Sequence, residues 1–136
     1  MKINPYLNFN GDCEKAFQFY EKCLGGQIVA MIKTEDTPMA GKAPAELKGK
    51  VMHARLIVDG TVLMGADGMR QYEAPGGFNV TLNVADATEA ERVFHELSEG
   101  GKITMPIQQT FWAVRFGTVT DKFGQPWMVN CEKPMG

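Results

Sequence analysis

A chain of 136 residues, 44% apolar and 22% charged, has the size of one domain and the composition of a folded globular protein. A formal net charge of -2 with no Lys/Arg cluster excludes the electrostatic footprint of a nucleic-acid or anionic-lipid binder, and no apolar run approaches the roughly 20 residues needed to span a bilayer. The opening MKINPYLNF lacks the charged and apolar regions of a signal peptide, so a cytoplasmic location is expected.

In chain order, a strand over 3–9 leads into GDCEKAFQFYEKCLGG. There Cys13, Ala16, Phe17, Tyr20, Cys23 and Leu24 recur at helical spacing, with Asp12 as N-cap and Gly25-Gly26 as the stop. Strands are predicted over 27–33, 51–58 and 61–66, with a Pro/Gly/Ala-rich loop over 37–50. The second half repeats the plan: a strand over 78–84, then a helix with Ala90, Val93, Phe94 and Leu97 on its apolar stripe. Asp86 is its N-cap, Glu89 completes a capping box, and Gly100-Gly101 is the stop. Strands over 102–108, 113–120 and 126–131 follow. Both halves read strand-helix-strand-strand-strand, so module one spans 1–67, a linker 68–77, and module two 78–136.

Alternation assigns the strand faces. In 79–84, Val80, Leu82 and Val84 point to the helix while Asn79, Thr81 and Asn83 point away. In 52–58, Ala54, Leu56 and Val58 form the apolar set, with His53, Arg55 and Ile57 opposite. In 113–119, Val114 and Phe116 oppose Ala113 and Arg115, which puts Arg115 on the polar face. Periodicity alone reads that polar face as a solvated sheet surface; a curled sheet would make it a cup.

Cys13, Cys23 and Cys131 are odd in number and widely spaced, resembling neither a disulfide framework nor a zinc motif. Cys23 lies on the apolar stripe, and a buried thiol is preferred to a nucleophile. Of the two histidines, His95 sits in the second helix beside Glu96 and reads as a surface residue. His53 has three readings, in order: a hydrogen-bonded structural histidine, a substrate contact or general base, and a metal ligand. Asp67, after the adjacent strand, is its candidate partner, although one His and one Asp would make a weak metal site. Trp127 reads as core; Phe111-Trp112, at the start of a strand, reads as core packing or as the stacking wall of a pocket.

The repeat, PYLNFNGDCEKAFQFYEKCLGG near the start and TFWAVRFGTVTDKFGQPWMVN near the end together resemble the PhnB-like branch of the vicinal oxygen chelate superfamily. That superfamily includes glyoxalase I, extradiol dioxygenases, fosfomycin-resistance enzymes and bleomycin-binding proteins. The resemblance covers the whole chain. It implies an α+β fold of two βαβββ modules whose curved mixed sheets form a cup, usually in homodimers, and it favours the cup over a solvated face.

The metalloenzymes of the superfamily draw His and Glu ligands from the first and last strands of each module. Laid on that pattern, the ligand positions fall on Pro5, Met64, Asn79 and Met128. Proline has no side-chain donor, Asn79 offers a weak neutral oxygen, and the two thioethers are soft ligands unsuited to Zn(II), Ni(II), Mn(II) or Fe(II). The resemblance therefore implies a fold without its usual metal centre and with no cofactor.

Three functions stand against one another: a metal-free binding protein, a glyoxalase- or dioxygenase-like enzyme using His53 as base or an atypical metal site, and an inert dimer or interaction module with a filled cavity. The reading adopted is the first, for an amphiphilic or anionic small molecule. Its pocket residues are Arg55, Met64, Asn79, Thr81, Asn83, Phe111, Trp112, Arg115 and Met128, with His53 as the catalytic candidate should there be chemistry. No glycine-rich loop follows a strand and opens a helix, so a nucleotide-type cofactor has no seat.

Overall fold

The computed structural model describes residues 1–68 and 72–133, so part of the predicted linker (69–71) and the last three residues of module two lie outside the described residues. The chain divides into two compact units, Met1–Glu73 and Ala74–Gly136.

The first unit runs β1 (Tyr6–Phe9), α1 (Cys13–Leu24), β2 (Gln27–Lys33), β3 (Val51–Val58) and β4 (Thr61–Asp67). Its sheet has the order β1-β4-β3-β2, with β1 parallel to β4 and the other pairs antiparallel. The second unit runs β5 (Val80–Asn83), α2 (Ala87–Ser98), β6 (Lys102–Gln108), β7 (Ala113–Thr120) and β8 (Pro126–Glu132), in the matching order β5-β8-β7-β6. Two βαβββ modules with mixed sheets are therefore present, as expected. No helix among the described residues is long and apolar enough to cross a membrane.

The leading strands are shorter than predicted, beginning at Tyr6 and Val80 rather than at 3 and 78. Each parallel ladder starts at a proline. Pro5 gives its carbonyl to the Met64 amide (3.1 Å) but has no N–H to extend the ladder. Before the Val80↔Trp127 rung, β8 offers only Pro126, which has the same defect.

Each helix buries one face on its sheet. Ala16, Phe17 and Tyr20 of α1 are fully buried beside Phe9, and the Phe9–Phe17 rings meet edge-on at 6.1 Å. In α2, Ala90, Val93, Phe94 and Leu97 are buried, as are Val119, Trp127 and Val129 of the unit's sheet. Each large side chain so buried contributes roughly 1.5–3 kcal/mol. The caps differ in kind. Asp86 accepts the Glu89 amide at 2.8 Å, as predicted. Asp12 occupies the cap position of α1 but makes no side-chain cap bond. Its role passes to Asp67, which accepts from Gly11 N (2.8 Å) and Cys13 N (3.1 Å). The α1 stop at Gly25 is left-handed (φ 76), whereas α2 ends at Ser98 with the extended Glu99 as its cap, ahead of Gly100.

Two glycines let the helices approach. A Cβ at Gly65 would stand 2.8 Å from both Leu7 O and the Phe17 ring, and one at Gly117 would stand 2.8 Å from the Phe94 ring and 2.9 Å from Ile107 Cα. Gly117→Ala is expected to cost about 2 kcal/mol by overpacking. An urea-denaturation midpoint unchanged from wild type would refute that close fit.

Gly117 also corrects a face. Its missing side chain would point at α2, so Arg115 and Val119 share the helix side and Phe116 and Thr118 lie on the other. The sequence reading had these reversed, putting Arg115 on the polar face and Phe116 against the helix. Hydropathy favours phenylalanine for the core and cannot see that a glycine leaves the space α2 fills.

Candidate functional site

Each sheet has one face without a helix, and alternation delivers a defined set of side chains to it. In the first unit the rung Tyr6–Met64–Arg55 crosses β1, β4 and β3. Met64 is half-buried and Arg55 exposed. His53 lies two residues before Arg55 and pairs across to Ile32 of β2. Its Nδ1 is 3.4 Å from the Tyr6 hydroxyl, and the two rings lie 5.9 Å apart. That contact is long for a hydrogen bond. Burial, then the neighbouring Cys13, pushes the Tyr6 hydroxyl above its ordinary range, so it stays protonated.

Asp67 is not the partner of His53. Its carboxylate is buried and accepts three backbone amides, from Gly11, Cys13 and Val51. That proximity, after burial itself, drives the Cys13 thiol well above the ordinary range for cysteine, together with Asp12 and Glu14. A protonated, buried thiol is a poor nucleophile. Cys13, Cys23 and Cys131 are all free and buried.

In the second unit the corresponding rung is Thr81–Met128–Thr118. The Thr81 hydroxyl lies 3.6 Å from the Met128 sulfur, and the Thr118 and Thr104 hydroxyls meet at 2.6 Å. One rung along, Asn83, Asn130 and Phe116 are neighbours across β5, β8 and β7. Asn130 donates from Nδ2 to Asn83 Oδ1 at 3.1 Å. The Phe116 ring meets Trp112 edge-on at 5.3 Å, and Trp112 meets Phe111 at 4.8 Å. Phe111 is 88% exposed and Trp112 45%. Neither is core. Trp127 is core, and its indole N–H donates to Asp121 at 2.8 Å.

Arg115 lies away from this surface. Its Nε sits 3.0 Å from Glu91 of α2, whose other oxygen is 3.1 Å from His95 Nε2. His95 is exposed, as expected.

The metal positions taken from the superfamily pattern can be tested on their donors. Tyr6, not Pro5, is paired beside Met64, and Thr81, not Asn79, beside Met128. Neither rung offers a carboxylate or an imidazole, and among the described residues no group of three or more His, Cys, Asp or Glu converges. The residues present do not fit a hard divalent ion.

Sequence reasoning missed Asn130 and Phe116. Asn130 was legible from the Met128 alternation, two residues on; Phe116 was hidden by its own hydropathy.

Comparison with known proteins adds the lineage. A family model described as 3-demethylubiquinone-9 3-methyltransferase matches residues 1–130. Protein YjdN of Escherichia coli K12 is 36% identical, over 98% of this chain and 97% of its own. Among solved structures, PA1353 of Pseudomonas aeruginosa is 47% identical with a TM-score of 0.90, covering 98% of this chain and 99% of that one. The PhnB protein of Bacillus cereus is 25% identical with a TM-score of 0.80, covering 96% and 99%. The fosfomycin resistance protein FosX of Mesorhizobium loti, 10% identical with a TM-score of 0.62 over 96% and 90%, shares the fold alone.

Proposed function

This chain belongs to the family described as 3-demethylubiquinone-9 3-methyltransferase, the PhnB-like branch of the vicinal oxygen chelate superfamily, and we propose that it binds an amphiphilic small molecule without a metal. The observation that carries the reading is the make-up of the helix-free sheet faces. Large apolar side chains stand exposed on them, Tyr6 (45%), Ile32 (39%) and Ile57 (38%) in the first unit, and Trp112 is 45% exposed beside Phe116 in the second. Each face adds polar groups of its own, His53 and Arg55 in the first unit and the neutral Thr81, Asn83 and Thr118 in the second, the mixture that ligand sites use: apolar area for affinity, a few polar atoms for orientation. Met64 and Met128 add adaptable thioethers at the centre of each rung.

The anionic half of the expectation loses support, because the Arg115 guanidinium is engaged with Glu91. It then depends on Arg55. Free, buried cysteines suit a reducing compartment, which supports a cytoplasmic location. A homodimer is part of the proposal, on the superfamily's habit, and sedimentation measures it directly.

The alternative, a glyoxalase- or dioxygenase-like enzyme with His53 as base, is favoured by the Tyr6 ring, which lies 5.9 Å from the imidazole and limits its orientation by packing. Metal analysis of protein purified without chelator, followed by thermal-shift screening of divalent ions and of aromatic and anionic compounds, separates the two. The expected result is no stoichiometric ion and stabilisation by aromatic amphiphiles. Arg55→Ala is expected to weaken anionic compounds, and Arg115→Ala to leave them unchanged. A stoichiometric ion that His53→Ala abolishes would sink the metal-free reading.

A further inference from the structure

We propose that Arg55, with the Tyr6 hydroxyl, forms the head-group subsite for a monocarboxylate whose apolar body lies along the helix-free face of the first unit. The inference rests on the ligand-binding reading above and names the class of ligand this face selects.

The arginines of the described residues differ in their partners. Arg92 lies 2.6 Å from Glu96 and Arg115 lies 3.0 Å from Glu91, whereas Arg55 pairs with no carboxylate among the described residues. Its own sheet cannot supply one. The four strands carry a single acid, Asp67, and both its oxygens accept backbone amides at the starts of α1 and β3.

The fold does not require a cation there. The rung Tyr6–Met64–Arg55 has its counterpart in Thr81–Met128–Thr118, and Phe116 stands where the first unit has His53. The second unit thus builds the same sheet with no charge at either position. A guanidinium that strand pairing does not need, on a face with no counter-charge, points to an anion from outside the chain.

The surroundings narrow the class. Arg55 is exposed, and its neighbour on β2 is Ala30, so no large side chain stands beside it on that strand. Its parallel N–H donors match the two coplanar oxygens of a carboxylate. Adjacent strands are about 4.8 Å apart, so Tyr6 and Arg55 stand about 10 Å apart at their backbones and both side chains can reach one head group above Met64. The Tyr6 hydroxyl stays protonated and so adds a neutral donor. One fixed positive charge balances a monoanion, whereas a phosphate monoester would bring a second negative charge that nothing on the face offsets. The half-exposed Ile32 and Ile57, with Met64, supply the apolar strip for the rest of the ligand.

The test uses calorimetry on the full chain with two pairs of probes of matched shape: naphthalene-2-carboxylate with its carboxamide, and octanoate with octanamide. Wild type is expected to bind the carboxylate of at least one pair about tenfold more tightly than the amide, and added salt should erode that preference. Arg55→Ala should make the members of that pair equal. Tyr6→Phe should weaken the carboxylate about fivefold and leave the amide unchanged. In mildly alkaline buffer, 2-naphthyl phosphate, a dianion, should bind no more tightly than the naphthoate. Four results each overturn the subsite: no carboxylate preference in either pair, a preference that survives Arg55→Ala, carboxylate binding untouched by Tyr6→Phe, or tighter binding of the phosphate. Ligand binding itself falls only if the wider aromatic and anionic screen is also silent. The wild-type comparisons need no variant to fold.

Discussion

Asp67→Ala is expected to destabilise the first unit by about 4 kcal/mol, because one carboxylate serves three backbone amides from two separated segments, the start of α1 and the start of β3. Gly11 lies in the turn before α1, Cys13 is the first helical residue, and Val51 opens β3. Each loses a charge-assisted bond worth roughly 1.5 kcal/mol, and Cys13 and Asp67 are buried where water cannot replace it. The negative charge also lies at the N-terminus of α1, which favours it through the helix dipole. Domains of this size are stable by only about 5–15 kcal/mol, so the loss should be plain in a urea-unfolding midpoint. Asp67→Asn keeps an acceptor oxygen but sets an N–H₂ against amide donors, and should fall between. A loss below about 1 kcal/mol for the alanine variant would mean the carboxylate does not organise the unit.

Asp121→Ala is the second large effect, at about 3 kcal/mol. The residue opens the DKFGQPW turn, where its backbone amide donates to Gln125 O at 2.9 Å and Gly124 N donates back to Asp121 O at 2.9 Å. Its Oδ1 accepts from the amides of Phe123 (2.8 Å) and Gln125 (3.0 Å), and its Oδ2 from the Trp127 indole (2.8 Å). The turn and the largest core side chain of the second unit are thus tied to one carboxylate. Trp127→Phe removes one donor while keeping most of the ring, so it should cost less than Asp121→Ala. The reverse order in chemical denaturation would show that packing of the indole, not the carboxylate, holds the turn.

These two aspartates show where sequence reasoning reached and where it stopped. Asp121 in DKFGQPW was legible as a turn former, since Asp, Gly and Pro mark turns by local geometry. Asp67 read only as a possible neighbour of His53, because its partners are 16 to 56 residues away in the chain. The Asp12 cap was right in position and wrong in chemistry for the same reason. The four metal positions could be judged unfit from residue identity, yet their true neighbours, Tyr6 and Thr81, required the parallel register.

The sequence by itself determined the two βαβββ modules, the boundaries of β2, β3, β6 and β7, the apolar stripes of both helices and the superfamily, because period and turn chemistry are local properties of the chain. Only the tertiary structure decided that Arg115 faces Glu91, that Phe116 joins Trp112 on the open face, and that Asn130 meets Asn83 across β5 and β8. The physical reason is that a strand has two faces of equal period. Which one meets the helix is settled by the space the partner helix occupies, here the gap at Gly117 filled by Phe94, and no hydropathy pattern contains it.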